Sequence, residues 1–446
     1  MDEPTLAAPS PAAPGAQNSE QGALKVALLG CGVVGSQVAR LLIEQAEDLQ
    51  ARVGRPLELV GIAVRRISLE RPGIDRSLLT DDAMALASRA DVDLVIELLG
   101  GIEPARSLIL AAIESGSSVI TANKALLASD GGTIYAAAEA AGVDVYYEAA
   151  VAGAIPIIRP LRESLVGDEV TAVMGIVNGT TNFILDRMHS DGADFASVLA
   201  EAQELGYAEA DPSADVEGYD AASKAAILAS LAFHSRVRLE DVSREGITAI
   251  TSDDIDAANE MGCVVKLLAR CALSEDGTIE VGVHPTMVPL AHPLASIPGA
   301  YNAVFIESRN AGRLMFMGPG AGGSPTASAV LGDLVTAARN RVRGARGPAE
   351  STYSARGITP AGRVSSRYYV SMFVHDAPGV LAKVAGCFAD QEISLQAVRQ
   401  ESEGNRARLG VMTHRATAAQ LEAALQALGT MPEVAPGVSV MRVEGA

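Results

Sequence analysis

Residues 24–30, LKVALLG, form a short apolar run with a β-branched member that stops on glycine. The residues after it, from Cys31 to Leu49, carry apolar positions at helical spacing. The pattern then recurs. Residues 57–64 (LELVGIAV), 92–100 (VDLVIELLG), 117–123 (SSVITAN) and 144–150 (DVYYEAA) read as strands, and the later ones each follow an Ala-rich helical stretch. Strands alternating with helices predict an α/β fold, a Rossmann-type doubly wound parallel sheet over residues 22–150.

The alternation breaks after residue 150. Residues 170–177 (VTAVMGIV), 278–288 (TIEVGVHPTMV) and 302–318 (NAVFIESRNAGRLMFMG) read as strands, whereas 181–188, 195–205 and 220–233 read as helices. Mixed order of this kind predicts an α+β substrate domain over 151–310. Residues 318–340 give a Gly-rich loop and a helix, so 311–340 is expected to pack back on the first domain. Residues 341–366 lack a sustained apolar pattern and read as a linker. Residues 367–446 show the order βαββαβ, which predicts a ferredoxin-like unit. Residues 1–21, Ala, Pro and polar residues, read as a disordered tail and not as a signal peptide.

Composition narrows the functions. The chain of 446 residues has a formal net charge of −19. No basic cluster is present to bind phosphodiester backbones, so a nucleic-acid partner is not expected. An acidic surface still permits a local cationic pocket for a small-molecule substrate. No apolar stretch is long enough to span a bilayer, and a cytoplasmic protein without a membrane partner is expected. The four cysteines, Cys31, Cys263, Cys271 and Cys387, form no CxxC pair, which argues against a zinc site and a disulfide framework.

Gly30-Cys31-Gly32-Val33-Val34-Gly35 fits G-x-G-x-x-G between a predicted strand and a predicted helix. In that context the glycines allow a tight turn, close approach of a pyrophosphate and helix-on-strand packing. A dinucleotide is expected there, held at Gly30, Gly32, Val33, Val34 and Gly35, with Gly100 and Thr121 at later strand ends. An NAD site would place a carboxylate at the end of the second strand. The chain reads Ala63-Val64-Arg65-Arg66, and Arg65 suits a 2′-phosphate, so NADP is expected over NAD, with NAD possible.

A hydride transferred to a carbonyl leaves an alkoxide that needs a proton. Zinc is disfavoured, and none of the six histidines lies in an obvious carboxylate-paired motif, which leaves lysine. Lys124 follows a parallel strand, where doubly wound sheets place ligand contacts. Lys224 lies four residues after Asp220 and shares its helical face, in an acidic run that also holds Glu209, Asp211, Asp215 and Glu217. By pattern alone, Asp220 and Lys224 read as an ordinary surface pair.

The segments ITANKALL, YYEAAVAGAIPII, GIVNGTTNFIL and EAQELGYAEADPSADVEGYDAASKAAILA together resemble homoserine dehydrogenase, in order over residues 24–340. The resemblance implies hydride transfer between L-aspartate 4-semialdehyde and L-homoserine, in threonine, methionine and isoleucine biosynthesis. It implies that Glu209 and Asp220 contact homoserine with Asp215 nearby, and that Lys224 is the proton donor. Lys124 would touch substrate and nicotinamide, and Gly206 and Gly322 would lie near the cofactor. Glu148, Val151, Gly153 and Ile155 match the family's monovalent cation site, with sodium the expected ion in a structural role. The NGTTN segment, 178–182, reads as a helix cap. Asp211 and Glu217 have no arguable role beyond solvated or helix-entry charges.

Residues 374–400 resemble an ACT domain, a small amino-acid-binding regulatory module. L-Threonine is the implied effector, with Asp376, Gly379 and Val380 in the strand-to-helix loop as effector candidates. ACT modules pair with one another, and the resemblance implies that 151–310 is also the dimerisation domain, so a homodimer or homotetramer is expected. A monofunctional enzyme, without a kinase-like extension, is expected as well. Two other readings compete: a different Rossmann oxidoreductase, which leaves the run from Glu209 to Lys224 unexplained, and a non-catalytic sensor, which would not need both lysines.

Overall fold

The computed structural model describes residues 22–403 and 406–445; the expected tail, 1–21, lies outside the described residues. Strands β1 (Leu24–Leu29), β2 (Leu57–Ala63), β3 (Leu79–Thr80), β4 (Leu94–Glu97), β5 (Ser118–Thr121) and β6 (Val145–Tyr146) form a sheet in the order β3-β2-β1-β4-β5-β6. All of its pairings are parallel. Leu24, Val26 and Leu28 of β1 face the helices Val33–Glu44 and Gly323–Arg343, whereas Ala27 and Leu29 join the core with the helix Ala105–Glu114. Burial on both faces explains why these strands read as continuous apolar runs. Strand order reverses between β1 and β4, and the crevice beyond the carboxyl ends of those two strands is where such sheets take ligands.

The second sheet contains β7 (Val170–Ile176), β8 (Ser243–Arg244), β9 (Cys263–Leu273), β10 (Ile279–Pro289), β11 (Tyr301–Ser308), β12 (Gly312–Pro319), β13 (Ser365–His375), β14 (Leu395–Glu403), β15 (Arg406–Thr413) and β17 (Ser439–Val443). A short β16 (Ala416–Thr417) pairs with β13. The main order is β12-β11-β7-β9-β10-β17-β13-β15-β14, with β8 on β10. The helix Tyr219–Phe233 packs beneath β9 and β10 and is almost wholly buried.

Two features depart from the sequence reading. Strand β9 was not anticipated: its run is buried along nearly all its length and lacks alternation. Its polar members have their own partners. Lys266 Nζ donates to the Ile297 carbonyl at 2.8 Å, and Arg270 pairs with Glu280 at 2.9 Å. Second, the ferredoxin-like unit is not a separate sheet. Its outer strand β17 pairs in parallel with β10 at Thr286–Arg442 and Met287–Val443, which satisfies two otherwise open edges.

Two boundaries also move: of residues 311–340, Gly312–Pro319 is β12 of the second sheet, and the segment read as a linker from residue 341 begins inside the helix Gly323–Arg343. Beyond it the chain runs along the substrate domain. Tyr353 stacks on His234 with ring centroids 4.5 Å apart, and Gly357 and Thr359 exchange backbone hydrogen bonds with Ile279. Among the described residues, no helix is long and apolar enough to cross a membrane.

Candidate active site

The glycine loop closes the crevice between β1 and the helix Val33–Glu44. Gly30 has φ +103°, and a Cβ on Gly35 would stand 2.2 Å from the Gly30 carbonyl oxygen, so neither position accepts a side chain. Gly32 caps the helix, has open space around it and lacks a side-chain cap. The first-turn N–H groups therefore remain available to an anion. Val33 beside them is 75% exposed and Val34 is partly buried. Gly322, just before the helix Gly323–Arg343, comes to the same place, because Gly323 packs against the Val33 carbonyl. Gly100 follows β4 in the same crevice with φ +74°.

Thr121 ends β5, and its side chain is engaged within the protein. It is fully buried, its hydroxyl donates to Glu97 Oε2 at 2.6 Å and accepts from Asn123 N–H at 3.0 Å. Glu97, which sequence reasoning missed, is the buried carboxylate that shapes this crevice. Its Oε1 accepts the N–H groups of Leu99 and Gly100 at 2.7 and 3.3 Å. The available signal was a glutamate at the end of an otherwise apolar central strand. Arg65 follows the end of β2, is exposed and makes no side-chain hydrogen bond or ion pair.

The acidic run folds so that two lysines converge on one carboxylate. Asn123 caps the helix Lys124–Ala141 and aims Lys124 from its first position. Gly218, in the left-handed region at φ +81°, joins the short helix Ser213–Val216 to the helix Tyr219–Phe233. That turn presents Asp220, and Lys224 follows one turn later. Asp220 Oδ1 lies 2.9 Å from Lys124 Nζ, and Asp220 Oδ2 lies 2.7 Å from Lys224 Nζ. Lys224 also donates to the Val177 carbonyl at 2.6 Å. Asn178 caps the helix Gly179–Asp191 through its Oδ1, and its Nδ2 donates to Asp215 at 2.7 Å and Asp220 at 3.0 Å. The NGTTN segment is thus a cap, as read, and also the brace of two acidic residues.

Environment separates the two lysines. Burial lowers the Lys224 pKa despite the Asp220 carboxylate, and the charge of Lys124 adds to that fall. Burial works against the Lys124 charge too, but Asp220, Asp215 and Glu209 outweigh it and raise its pKa. For Asp220, burial opposes ionisation, and the two lysines overcome it, so its carboxyl is held well below the usual range. Burial raises Asp215, against the Asn178 donor and with help from the charge of Asp220. Glu209 is exposed, and its carboxylate has no hydrogen-bond partner. Gly206 ends the preceding helix on this substrate side, with open space about it. Asp211 accepts from Ser213 as a helix-entry residue, and the Glu217 carboxylate makes no hydrogen bond.

A nucleotide crevice beside two carboxylate-bound lysines describes a dehydrogenase site, and comparison with known proteins identifies the kind. Residues 30–148 match the NAD-binding domain of homoserine dehydrogenase, and residues 156–335 match the homoserine dehydrogenase family. Residues 368–432 match the ACT domain. The chain is 57% identical over 430 residues to homoserine dehydrogenase of Mycobacterium tuberculosis strain H37Rv, covering 94% of this chain and 97% of the relative. This chain belongs to the homoserine dehydrogenase family. It is 55% identical to the Corynebacterium glutamicum enzyme over 426 residues, covering 95% and 96% of the two chains. The fold matches a solved homoserine dehydrogenase from Thiobacillus denitrificans with a TM-score of 0.90 at 39% identity, covering 95% and 99%. It also matches a hyperthermophilic archaeal homoserine dehydrogenase solved with NADPH, with a TM-score of 0.58 at 26% identity, over 70% of this chain and 97% of that one.

The turn expected to hold a cation has its carboxylate already engaged. Glu148 is buried, and its carboxylate accepts the N–H groups of Ile157, Ile158 and Arg159 at 2.5, 2.7 and 3.0 Å. Arg159 Nε also lies 3.8 Å from Glu148 Oε2, so the carboxylate is occupied by donors of the chain itself. Val151, Gly153 and Ile155 lie in the same buried turn and have only backbone carbonyls to offer. Among the described residues, no group of three or more His, Cys, Asp or Glu could hold a metal ion.

In the ACT module, Asp376 accepts from Gln400 at 3.1 Å and Ser402 at 2.7 Å, which ties the loop to β14. Gly379 caps the helix Val380–Ala389 at φ +91°, and Val380 is buried in the module's own core. Val380 therefore packs inward and offers no side chain to an effector.

Proposed function

We propose that this homoserine dehydrogenase prefers NADP and uses Lys224 as its acid–base group. The nicotinamide, when bound, supplies the hydride acceptor for L-homoserine oxidation and the donor for reduction of L-aspartate 4-semialdehyde. Residues Gly30–Gly35, Gly100 and Gly322 border the cofactor, and Arg65 receives the 2′-phosphate. Its free guanidinium and the lack of a carboxylate at the end of β2 support that choice. Glu209 and Asp215 hold the substrate ammonium group. Lys224 takes the hydroxyl proton as hydride leaves the carbinol carbon, and returns it to the carbonyl oxygen in reduction. Asp220 fixes both lysines, and Lys124 bridges substrate and nicotinamide.

The observation that carries this reading is one buried carboxylate held by two lysines whose pKa values move apart. A lysine lowered toward the working pH is the better proton shuttle. A second reading exchanges the two roles: Lys124 is 41% exposed at its side chain and uses one donor on Asp220. The same proposal includes a homodimer or homotetramer, a place in threonine, methionine and isoleucine biosynthesis, and L-threonine inhibition through the ACT module. Any sodium would rest on backbone carbonyls at Glu148, Val151, Gly153 and Ile155 and take no part in the chemistry.

The test is oxidation of L-homoserine with NADP and NAD in parallel, with L-threonine added last. Faster turnover with NADP, suppressed by threonine, supports the proposal. Equal use of NAD removes the Arg65 argument, and no response to threonine removes the effector.

A further inference from the structure

Asp215 and Asp220 stand on either side of Gly218; two lysines and Asn178 already hold Asp220, so the turn bears chiefly on the aim of Asp215. Four contacts from β8 and the segment after it hold that turn. Arg244 Nη1 donates to the Glu217 carbonyl, and the Arg244 guanidinium lies over the Tyr219 ring, 3.5 Å from its centroid. Ile247 N–H donates to the Val216 carbonyl at 2.8 Å. Gly246 lies so close to Val216 and Glu217 that a Cβ there would stand 2.4 Å from the Val216 carbonyl oxygen. The clamp has a rigid base: β8 pairs with β10 at Val283–Arg244, and Glu245 N–H donates to the Val283 carbonyl at 2.8 Å.

We infer that Arg244 is a positioning residue for the substrate: by holding the Glu217 carbonyl and the Tyr219 ring, it fixes the Gly218 turn and thereby the aim of Asp215. This rests on reading Asp215 as a carboxylate that holds the substrate ammonium group. Arg244 itself is exposed and touches neither lysine. The planar guanidinium matters, because only arginine both stacks on a ring and donates in its own plane. The base of the clamp also adjoins the ACT module. Strands β8 and β17 lie on β10, and Arg442 of β17 reaches Glu245 at 3.3 Å.

The test compares Arg244→Ala, Arg244→Lys and Tyr219→Ala in the full chain. Loss of the stacked cation and its hydrogen bond is expected to raise the homoserine KM roughly fivefold to tenfold, with kcat and the cofactor KM within about twofold. Arg244→Lys should recover part of that rise, and Tyr219→Ala should reproduce it. Hydrogen exchange at the amides of residues 213–222 should quicken about tenfold in Arg244→Ala. An unchanged homoserine KM overturns the inference. So does a parallel loss of kcat and cofactor affinity, which indicates general destabilisation. If Arg244→Ala does not fold, Tyr219→Ala decides alone, because its ring is partly exposed and its removal leaves the core intact. If the wild-type protein does not oxidise homoserine, the proposed function fails by itself, and the exchange rates still decide whether Arg244 holds the turn.

Discussion

Replacing Lys224 by methionine removes the charge and the donors while keeping most of the buried volume. Asp220 would still have Lys124 at 2.9 Å and Asn178 at 3.0 Å, so its carboxylate stays paired. The Val177 carbonyl loses its 2.6 Å donor, a cost of about 1–3 kcal/mol that a domain of this size tolerates. Positioned acid–base catalysis contributes roughly 10²–10⁴-fold, so kcat should fall at least about a hundredfold while nucleotide still binds. The pH profile gives the sharper signature. Oxidation needs the neutral amine and rises with pH through the Lys224 pKa, whereas reduction needs the ammonium and falls through the same value. Burial lowers that pKa, so both limbs sit below the usual lysine range. Steady-state rates in both directions, from neutral to alkaline pH, should lose these opposed limbs in the variant. Turnover within about threefold of wild type, with both limbs intact, would refute the assignment. If Lys124→Met alone abolishes the limbs, the two lysines exchange roles.

Three further substitutions examine the rest of the site. Arg65→Ala should raise the KM for NADP about tenfold and leave that for NAD unchanged, since a charge-assisted phosphate contact contributes about 1.5–3 kcal/mol; a parallel change for both cofactors would remove the 2′-phosphate argument. Glu209→Gln should raise the homoserine KM about tenfold with little change in kcat, because its unpaired carboxylate is the one free to meet an ammonium group; a fall in kcat at unchanged KM would place it with the reacting atoms. Arg159→Ala should destabilise the fold by about 3–5 kcal/mol in chemical denaturation, because Asp333 and Glu148 would remain buried without their cation; unfolding at the wild-type midpoint would show that the N–H donors suffice.

The features legible in the sequence are those set by local chemistry. The glycine loop, the strand-to-helix alternation up to residue 150 and the helix start after Gly218 each depend on backbone preferences that nearby residues announce. Long-range geometry was legible only in part. The i,i+4 spacing joins Asp220 to Lys224, but no periodicity places Lys124 on the same carboxylate, because that contact joins two elements 96 positions apart in the chain. Strand β9 was obscured by its burial on both faces, and the β10–β17 pairing by the non-local character of parallel ladders. The engagement of the Glu148 carboxylate was hidden for a different reason. A carboxylate looks like a cation ligand until the backbone is seen to turn three N–H groups toward it.

The acidic run from Glu209 to Asp220 is best understood by asking what each carboxylate is free to do. Asp220 is fully engaged: two lysines and Asn178 hold it, and it neutralises charge that would otherwise repel at the reaction centre. Asp215 is half-engaged, accepting from Asn178 while its neighbour's charge and burial raise its pKa, so an arriving ammonium group would stabilise its ionised form. Glu209 is unengaged and exposed at the approach. On the proposed function the three form a gradient, from a carboxylate that organises both lysines to one left free for the substrate's cation. A pocket that must bind an ammonium group beside two lysines needs such a division, because a shared carboxylate would be neutralised before the substrate arrived.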